Sequence, residues 1–368
     1  PRRLAARAAA GFMARGLGEE PGGVVGYRVR LDSRVGPGTR VEVVTEGILT
    51  RRWQGDPGLD GVGLVIFDEF HERSIHADLA LALCLDARAA LRPDLRVVVM
   101  SATMEAEPVA RLLGDAAVVR AEGRCFPVET RYLGRDGGRD RVPAVVEAAR
   151  RALAEERGSV LVFLPGAGEI RRAEAMLRGV GPNVAVAPLY GDLAREAQDQ
   201  AIKPALPGWR KVVLATSIAE TSLTIEGVRV VIDSGLSRAP RFDPRSGMTR
   251  LETLPVSRAS ADQRRGRAGR VEPGVCWRLW SEGEHGLLPE RAEPEILAAD
   301  LAPLALELAQ WGAQDPGKLA WLDAPPAPAL SQARDLLRRL GALDDTGRAT
   351  EHGRRMAELG LHPRLAHM

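Results

Sequence analysis

Three cysteines, Cys84, Cys125 and Cys276, are scattered singly through 368 residues, with no C-x-x-C pair and no Cys/His spacing suited to zinc. Their odd number and wide separation argue against a disulfide framework or a structural metal and leave buried thiols as the reading. Aromatic residues make up only 4% of the chain, so Val, Leu, Ile and Ala must fill its cores, which suits layered α/β structure. No apolar run approaches the roughly 18–20 residues of a membrane span. Pro1-Arg2-Arg3-Leu4 begins neither an apolar segment nor a signal cleavage site. The expectation is a cytoplasmic protein with no membrane partner. Lysine is scarce, since Lys203, Lys211 and Lys318 are the only ones among 51 cationic residues. With 49 acidic residues the net charge is +2, and the arginine excess fits either phosphate binding or a GC-rich coding bias. The phosphate-cradling pattern G-x-x-x-x-G-K-[ST] occurs nowhere, because Gly317-Lys318 is followed by Leu319.

What is present is a repeated alternation of short β-branched runs and helical stretches. Val24–Tyr27, Val41–Val44, Leu64–Phe67, Val97–Met100 and 117–119 read as strands of a buried parallel sheet, with helices over 75–91 and 108–113. After the exposed Gly/Arg/Asp stretch 134–141, the rhythm restarts with a helix over 142–156, strand 160–164 and helix 169–177. Strand 184–189, helix 194–202 and strands 212–214 and 228–232 continue it as a second α/β layer. From about residue 290 strands give way to helices near 301–311, 330–340 and 351–359, with a turn at 344–347, a pattern that fits a small winged-helix module.

Four segments carry chemistry. The strand 64–67 runs into Asp68-Glu69-Phe70-His71, and two acids at the carboxyl end of a strand lie where α/β sheets bind ligands. In nucleoside triphosphatases such acids hold Mg²⁺ and orient the attacking water, although an acidic pair in a surface turn looks the same in isolation. Ser101-Ala102-Thr103 ends the strand 97–100, and Thr216 to Ile225 is a hydroxyl-rich loop after strand 212–214; both suit phosphate contacts or ordinary helix caps. In Gln263-Arg264-Arg265-Gly266-Arg267-Ala268-Gly269-Arg270, four arginines and two close-approach glycines make a phosphate-facing surface if they open a helix; a solvated charged face is the plainer alternative.

In order along the chain stand PRRLAA (1–6), TEGIL (45–49), DEFH (68–71), SAT (101–103), FLPG (163–166), TSIAETSLTI (216–225) and QRRGRAGR (263–270). Together they resemble the DEAH/RHA class of superfamily 2 helicases, and Phe70 with its flanks resembles the bacterial HrpB type most closely. The resemblance implies an α/β fold of two RecA-like parallel-sheet domains, the first incomplete, followed by a small, mainly helical winged-helix domain. The implied boundaries are 1–122 for the first domain, lacking its P-loop strand, and 123–289 for the second, with a wedge hairpin at 235–255. Residues 290–360 form the winged helix and 361–368 begin a helical region.

The same resemblance implies an ATP-dependent helicase or translocase that couples hydrolysis to movement along single-stranded nucleic acid, RNA rather than DNA. ATP and Mg²⁺ are the implied cofactors. Asp68 would hold the metal, with Glu69 beside it acting on the hydrolytic water. His71, Ser101 and Thr103 would couple nucleotide to nucleic acid, Thr224 would join the nucleotide contacts, and Gln263, Arg267 and Arg270 would reach the γ-phosphate. Arg2, Arg3, Arg30 and Thr45 would touch the strand from the first domain, and Thr216 and Ser217 from the second. Phe12 would stack on the base, unless it is a core residue; its opposite number matches Ile202. The missing P-loop implies a truncated chain, inactive alone, with exposed apolar surface in its first domain. A catalytically dead nucleic-acid-binding scaffold is the alternative.

Overall fold

The computed structural model describes residues 3–102, 106–121, 123, 126–134, 140–220, 225–243 and 245–368. They form two compact units. One comprises Pro1–Val119, Pro240–Arg250 and Glu293–Met368, the other Arg120–Ala239 and Leu251–Ala292.

In the first unit, α1 (Arg3–Gly16) turns Ala6, Ala10 and Ala14 inward at helical spacing, onto Val25, Tyr27 and Val29 of β1 (Val25–Val29). Small alanines allow that close approach. β1 pairs antiparallel with β2 (Asp32–Arg34) and parallel with β3 (Val41–Val44). Next come α2 (Glu46–Gly55), β4 (Leu64–Phe67), α3 (Ile75–Ala90), β5 (Arg96–Val99) and α4 (Ala106–Leu112). Ser74 opens α3 by accepting the Ala77 N–H (3.1 Å), a cap that satisfies one of the orphan donors at the helix start.

β4 and β5 are parallel, with Phe67 opposite Val99. The expectation of a single sheet buried on both sides is corrected in three respects. β1–β3 form a sheet of their own, apart from β4–β5. Val65 and Phe67 face the core shared with α3, while Leu64, Ile66, Val98 and Met100 are exposed, because strand side chains alternate between faces. Residues 117–119 are not a strand: Val119 is 90% exposed and pairs with no neighbouring backbone among the described residues.

The second unit is built on a six-stranded sheet. Its elements are β6 (Val128–Tyr132), α5 (Val142–Glu155), β7 (Ser159–Phe163), α6 (Ala167–Met176), β8 (Val184–Leu189), α7 (Arg195–Ile202), β9 (Arg210–Ala215) and β10 (Val228–Asp233). The chain continues with β11 (Leu236–Asp243) and β12 (Met248–Pro255), of which Pro240–Arg250 fall in the first unit, and then with α8 (Arg258–Gly266), β13 (Gly274–Arg278) and α9 (Glu282–Leu287) of the second. The order is β6-β13-β10-β7-β9-β8, all parallel, and β11 and β12 pair with each other. Every residue of β7 is buried, as its unbroken apolar run predicts for a central parallel strand. Phe163, Ala215, Asp233 and Arg278 are aligned at the carboxyl ends of four neighbouring strands. Gly274 lets β13 enter this sheet, since a Cβ there would lie 2.3 Å from the Ala268 carbonyl oxygen. Cys276 is buried on β13 and Cys84 on α3, as expected of inert thiols, and burial pushes both up to about 12. Cys125 lies outside the described residues.

The helices α10 (Glu295–Ala298), α11 (Ala302–Trp311), α12 (Ala327–Arg339), α13 (Glu351–Glu358) and α14 (Pro363–Ala366) complete the first unit. Leu343 and Ala349 form an antiparallel bridge around the turn before α13, which is capped by Thr350. α11 packs its leucines into the core that holds Trp53 and α3, and its Glu307 accepts a hydrogen bond from the Gln54 side chain. Burial pushes the Glu307 carboxyl up to about 7, against the opposing charge of Arg51. The folded state therefore holds this proton more tightly than the unfolded chain, so stability falls as pH rises through the window from 4.5 to about 7. Glu307→Gln removes that penalty. It should raise stability by roughly 2–3 kcal/mol at pH 8 and leave it unchanged at pH 4, read from urea unfolding at both values. An equal shift at both pH values would rule out the proton as the cause.

Candidate functional site

The acids predicted at the end of β4 stand there. Asp68 is exposed and its Oδ1 accepts the Glu69 N–H (2.9 Å). Glu69 has φ 53° and ψ 36°, the left-handed region, which costs a non-glycine residue roughly 1–2 kcal/mol. Such strain persists where surrounding structure imposes it, and here the next residue is anchored: the Phe70 N–H donates to the Met100 carbonyl (3.0 Å), and its ring is buried against Phe67. The turn thus points Glu69 away from the strand's alternation.

His71 follows in the short 3₁₀ turn Phe70–Glu72, its ring almost wholly buried. Its Nδ1 accepts the Ala102 N–H (3.3 Å), which assigns the ring proton to Nε2, 3.6 Å from Glu69 Oε2. One imidazole therefore joins the segment after β4 to the segment after β5. His71 is expected to couple the two sites together with Ser101 and Thr103, and its bond goes to the backbone of the residue between them, which no side-chain pattern reveals. Ser101 is exposed beside it. Among the described residues no three His, Cys, Asp or Glu groups converge as a metal cluster. A lone exposed carboxylate suits Mg²⁺, which keeps several waters and takes one or two protein carboxylates plus phosphate oxygens.

In the second unit the arginine segment differs from expectation in its local structure. It closes a helix rather than opening one. α8 starts at Ser257, which caps Ser260 N–H, and ends at Gly266, with a 3₁₀ turn over Arg267–Gly269. Cations at a helix carboxyl end are favoured by its dipole, so the run suits a helix stop. The glycines also differ. A Cβ at Gly269 would fall 2.5 Å from the Phe126 carbonyl oxygen, whereas Gly266 has open space.

The four arginines have distinct environments. Arg264 is 1% exposed; its Nε and Nη2 donate to Glu220 Oε1, and its Nη1 to Asp233 Oδ1 (2.7 Å) and the Leu236 carbonyl (3.2 Å). Its guanidinium also lies over the Phe163 ring, 4.9 Å from the centroid. Burial works against its charge, but Asp233 and Glu220 outweigh that and raise its pKa above the ordinary value. Arg265 is exposed. Arg267 is buried and donates through Nε (2.8 Å) and Nη2 to the Glu220 carbonyl, while Arg270 is exposed. Arg267 and Arg270 line a small cavity with Leu161, Ala219, Ile225 and Val228. Gln263 is half-buried on the last turn of α8.

Thr216 follows β9, its N–H donating to the Leu189 carbonyl (3.2 Å), and Ser217 starts the 3₁₀ turn Ser217–Ala219. Both are half-buried, at the same sheet edge as Asp233. In the first unit Thr45 precedes α2, Arg30 is exposed after β1, and Arg3 is exposed at the start of α1. Phe12 is 74% exposed, so the core reading of that residue is overturned. Ile202, at the end of α7, is half-buried. Arg2, Thr103 and Thr224 lie outside the described residues. Sequence reasoning missed Glu220, Asp233 and the distinct role of Arg264. One signal was available: Arg264 is three residues from both buried Ala261 and buried Arg267, the spacing of an inward helix face.

Comparison with known proteins finds similarity along the whole chain. The helicase conserved C-terminal domain matches residues 144–272, and the winged-helix helicase-associated domain (HA2) matches 333–361. The ATP-dependent RNA helicase HrpB of Escherichia coli K12 is 53% identical over the whole chain, and ATP-dependent RNA helicase HrpA of the same organism is 37% identical. The chain spans 46% of the length of the first and 29% of the second. A crystal structure of the Escherichia coli DEAH/RHA helicase HrpB superposes with a TM-score of 0.94, covering all of this chain and 47% of that one. With its RecA-like six-stranded sheet, its winged-helix region and a match that runs its full length, this chain is similar, over the stretch it spans, to the HrpB-type DEAH/RHA helicases.

Proposed function

We propose that these residues belong to an ATP-dependent RNA helicase that converts nucleotide hydrolysis into movement along a single strand. The observation that carries this reading is the arrangement at the strand ends of the first unit. There a strained Glu69 sits beside Asp68 and within 3.6 Å of a histidine tied to the segment after β5. The name of the 53% identical relative supports it. Asp68, with Glu69 beside it, would hold Mg²⁺, which would supply charge neutralisation at the nucleotide phosphates. Glu69 orients and deprotonates the attacking water. Gln263, Arg267 and Arg270 act on the γ-phosphate, Thr224 joins the nucleotide contacts, and the exposed Phe12 ring stacks on the base.

Arg2, Arg3, Arg30, Thr45, Thr216 and Ser217 contact the backbone of the strand, a mode of binding that is salt-dependent and tolerant of sequence. His71, Ser101 and Thr103 relay between nucleotide and strand. Segment 235–255 acts as the wedge and residues 290–360 as a winged-helix buttress. A cytoplasmic location is part of the same reading. Residues 1–368 contain no G-x-x-x-x-G-K-[ST], so they serve by themselves as the background rate in the test.

In the full-length protein, single-stranded RNA should stimulate ATP hydrolysis, and Glu69→Gln should lower the stimulated rate roughly 10²–10⁴-fold while RNA binding persists. RNA binding without any nucleotide hydrolysis in the wild type would instead establish a scaffold.

A further inference from the structure

Glu220 receives two arginines through two different groups. Its carboxylate accepts from Arg264 and its backbone carbonyl from Arg267, the residue assigned above to the γ-phosphate. It also closes the 3₁₀ turn that begins at the strand-contacting residues, since its N–H donates to the Ser217 carbonyl (3.1 Å) and the Ala219 N–H to that of Thr216 (3.2 Å). Arg264 in turn reaches Leu236, the first residue of β11, and Asp233, which is fully buried. One side chain therefore ties the loop after β9, the start of the paired strands β11–β12 and the arginine turn after α8.

We propose that Glu220 is a positioning residue that links occupancy of the strand site at 216–217 to the placement of Arg267. The carbonyl that holds Arg267 belongs to the residue whose N–H closes the 3₁₀ turn, and the Glu220–Arg264 ion pair clamps that end of the turn. Shifting residues 216–219 on a bound strand displaces the Glu220 carbonyl and redirects the Arg267 guanidinium. Loss of the ion pair leaves Thr216, Ser217 and Arg267 in place but uncouples their movements. Thermodynamic linkage makes this reciprocal: a nucleotide that draws Arg267 away from the carbonyl changes the affinity of the strand site. The inference rests on the proposed function.

The test uses the full-length protein with Glu220→Gln, which keeps shape and one acceptor but removes the charge, and Glu220→Asp, which keeps the charge but shortens the reach. Affinity for a fluorescent single-stranded RNA is measured with no nucleotide and with ADP and beryllium fluoride. Coupled sites change each other's affinity roughly 5–150-fold. In both variants that ratio should fall to within about twofold of one, with nucleotide-free RNA affinity close to wild type. RNA stimulation of ATP hydrolysis should shrink in parallel. A purely structural role predicts a lower melting temperature with the ratio preserved, and that result would overturn the inference. If the wild type itself shows neither RNA-stimulated hydrolysis nor nucleotide-dependent affinity, the helicase reading fails first. A wild type that couples and variants that still couple defeat the Glu220 assignment alone.

Discussion

Arg264→Met should destabilise the second unit by roughly 3–5 kcal/mol, the expected cost of stripping a buried ion network of its cation. The three charges of this network are unevenly placed. Arg264 is almost wholly inaccessible, Asp233 is fully buried at the end of β10, and the Glu220 side chain keeps 14% of its surface exposed. A methionine fills much of the space and keeps some contact with Phe163, so packing alone would make the change mild. The carboxylate of Asp233 decides the outcome. Its Oδ1 keeps the Gly235 N–H (2.8 Å) but loses the arginine, and a buried anion without a cation is costly. Urea unfolding of residues 1–368 followed by near-ultraviolet dichroism reports the loss. Arg265→Ala, at an exposed position one residue away, should change stability by less than about 0.5 kcal/mol. Equal effects of the two substitutions would show that the network is not a net support. Combining Arg264→Met with Asp233→Asn should recover part of the loss, because the stranded charge is then gone.

The contrast between Arg264 and Arg265 shows where sequence reading reaches its limit. Local signals served well. The run Val160 to Phe163 is apolar without interruption and is a central strand, and the helix expected over 75–91 stands as α3. The acids of 68 and 69 were legible because their meaning comes from the strand immediately before them. β6 and β13 were not, since Val-Glu-Thr-Arg-Tyr and Gly-Val-Cys-Trp-Arg become strands only by pairing, with each other and with β10. Residues 117–119 have strand composition but no partner, and composition cannot supply one. In the site, Arg264 meets Glu220 and Asp233 across 44 and 31 residues of chain. That distance hides a structural cation among three neighbours of the same type.

Arg267→Ala should reduce RNA-stimulated ATP hydrolysis in the full-length protein by about 10³–10⁵-fold, the range set by arginines that stabilise a transferring phosphoryl group. The structure adds a qualification about stability that a purely catalytic residue would lack. Arg267 is buried and bonded to the Glu220 carbonyl, so its removal should also cost roughly 1–3 kcal/mol, seen as a drop of several degrees in melting temperature. Arg270 offers the control. It lies two residues beyond the buried Ala268 and is exposed, so Arg270→Ala should lose rate with a smaller drop in melting than Arg267→Ala. Arg267→Lys sharpens the test further. A lysine keeps the positive charge but presents one compact donor group in place of a planar fork, so it cannot reproduce the two bonds to the carbonyl. If charge alone mattered, Lys would restore most of the rate. If geometry held by Glu220 matters, it should remain at least about 10²-fold slow, comparable to the loss of a preorganised donor elsewhere. Near-wild-type hydrolysis in Arg267→Ala would remove this arginine from the γ-phosphate and leave it as a brace for the turn before β13.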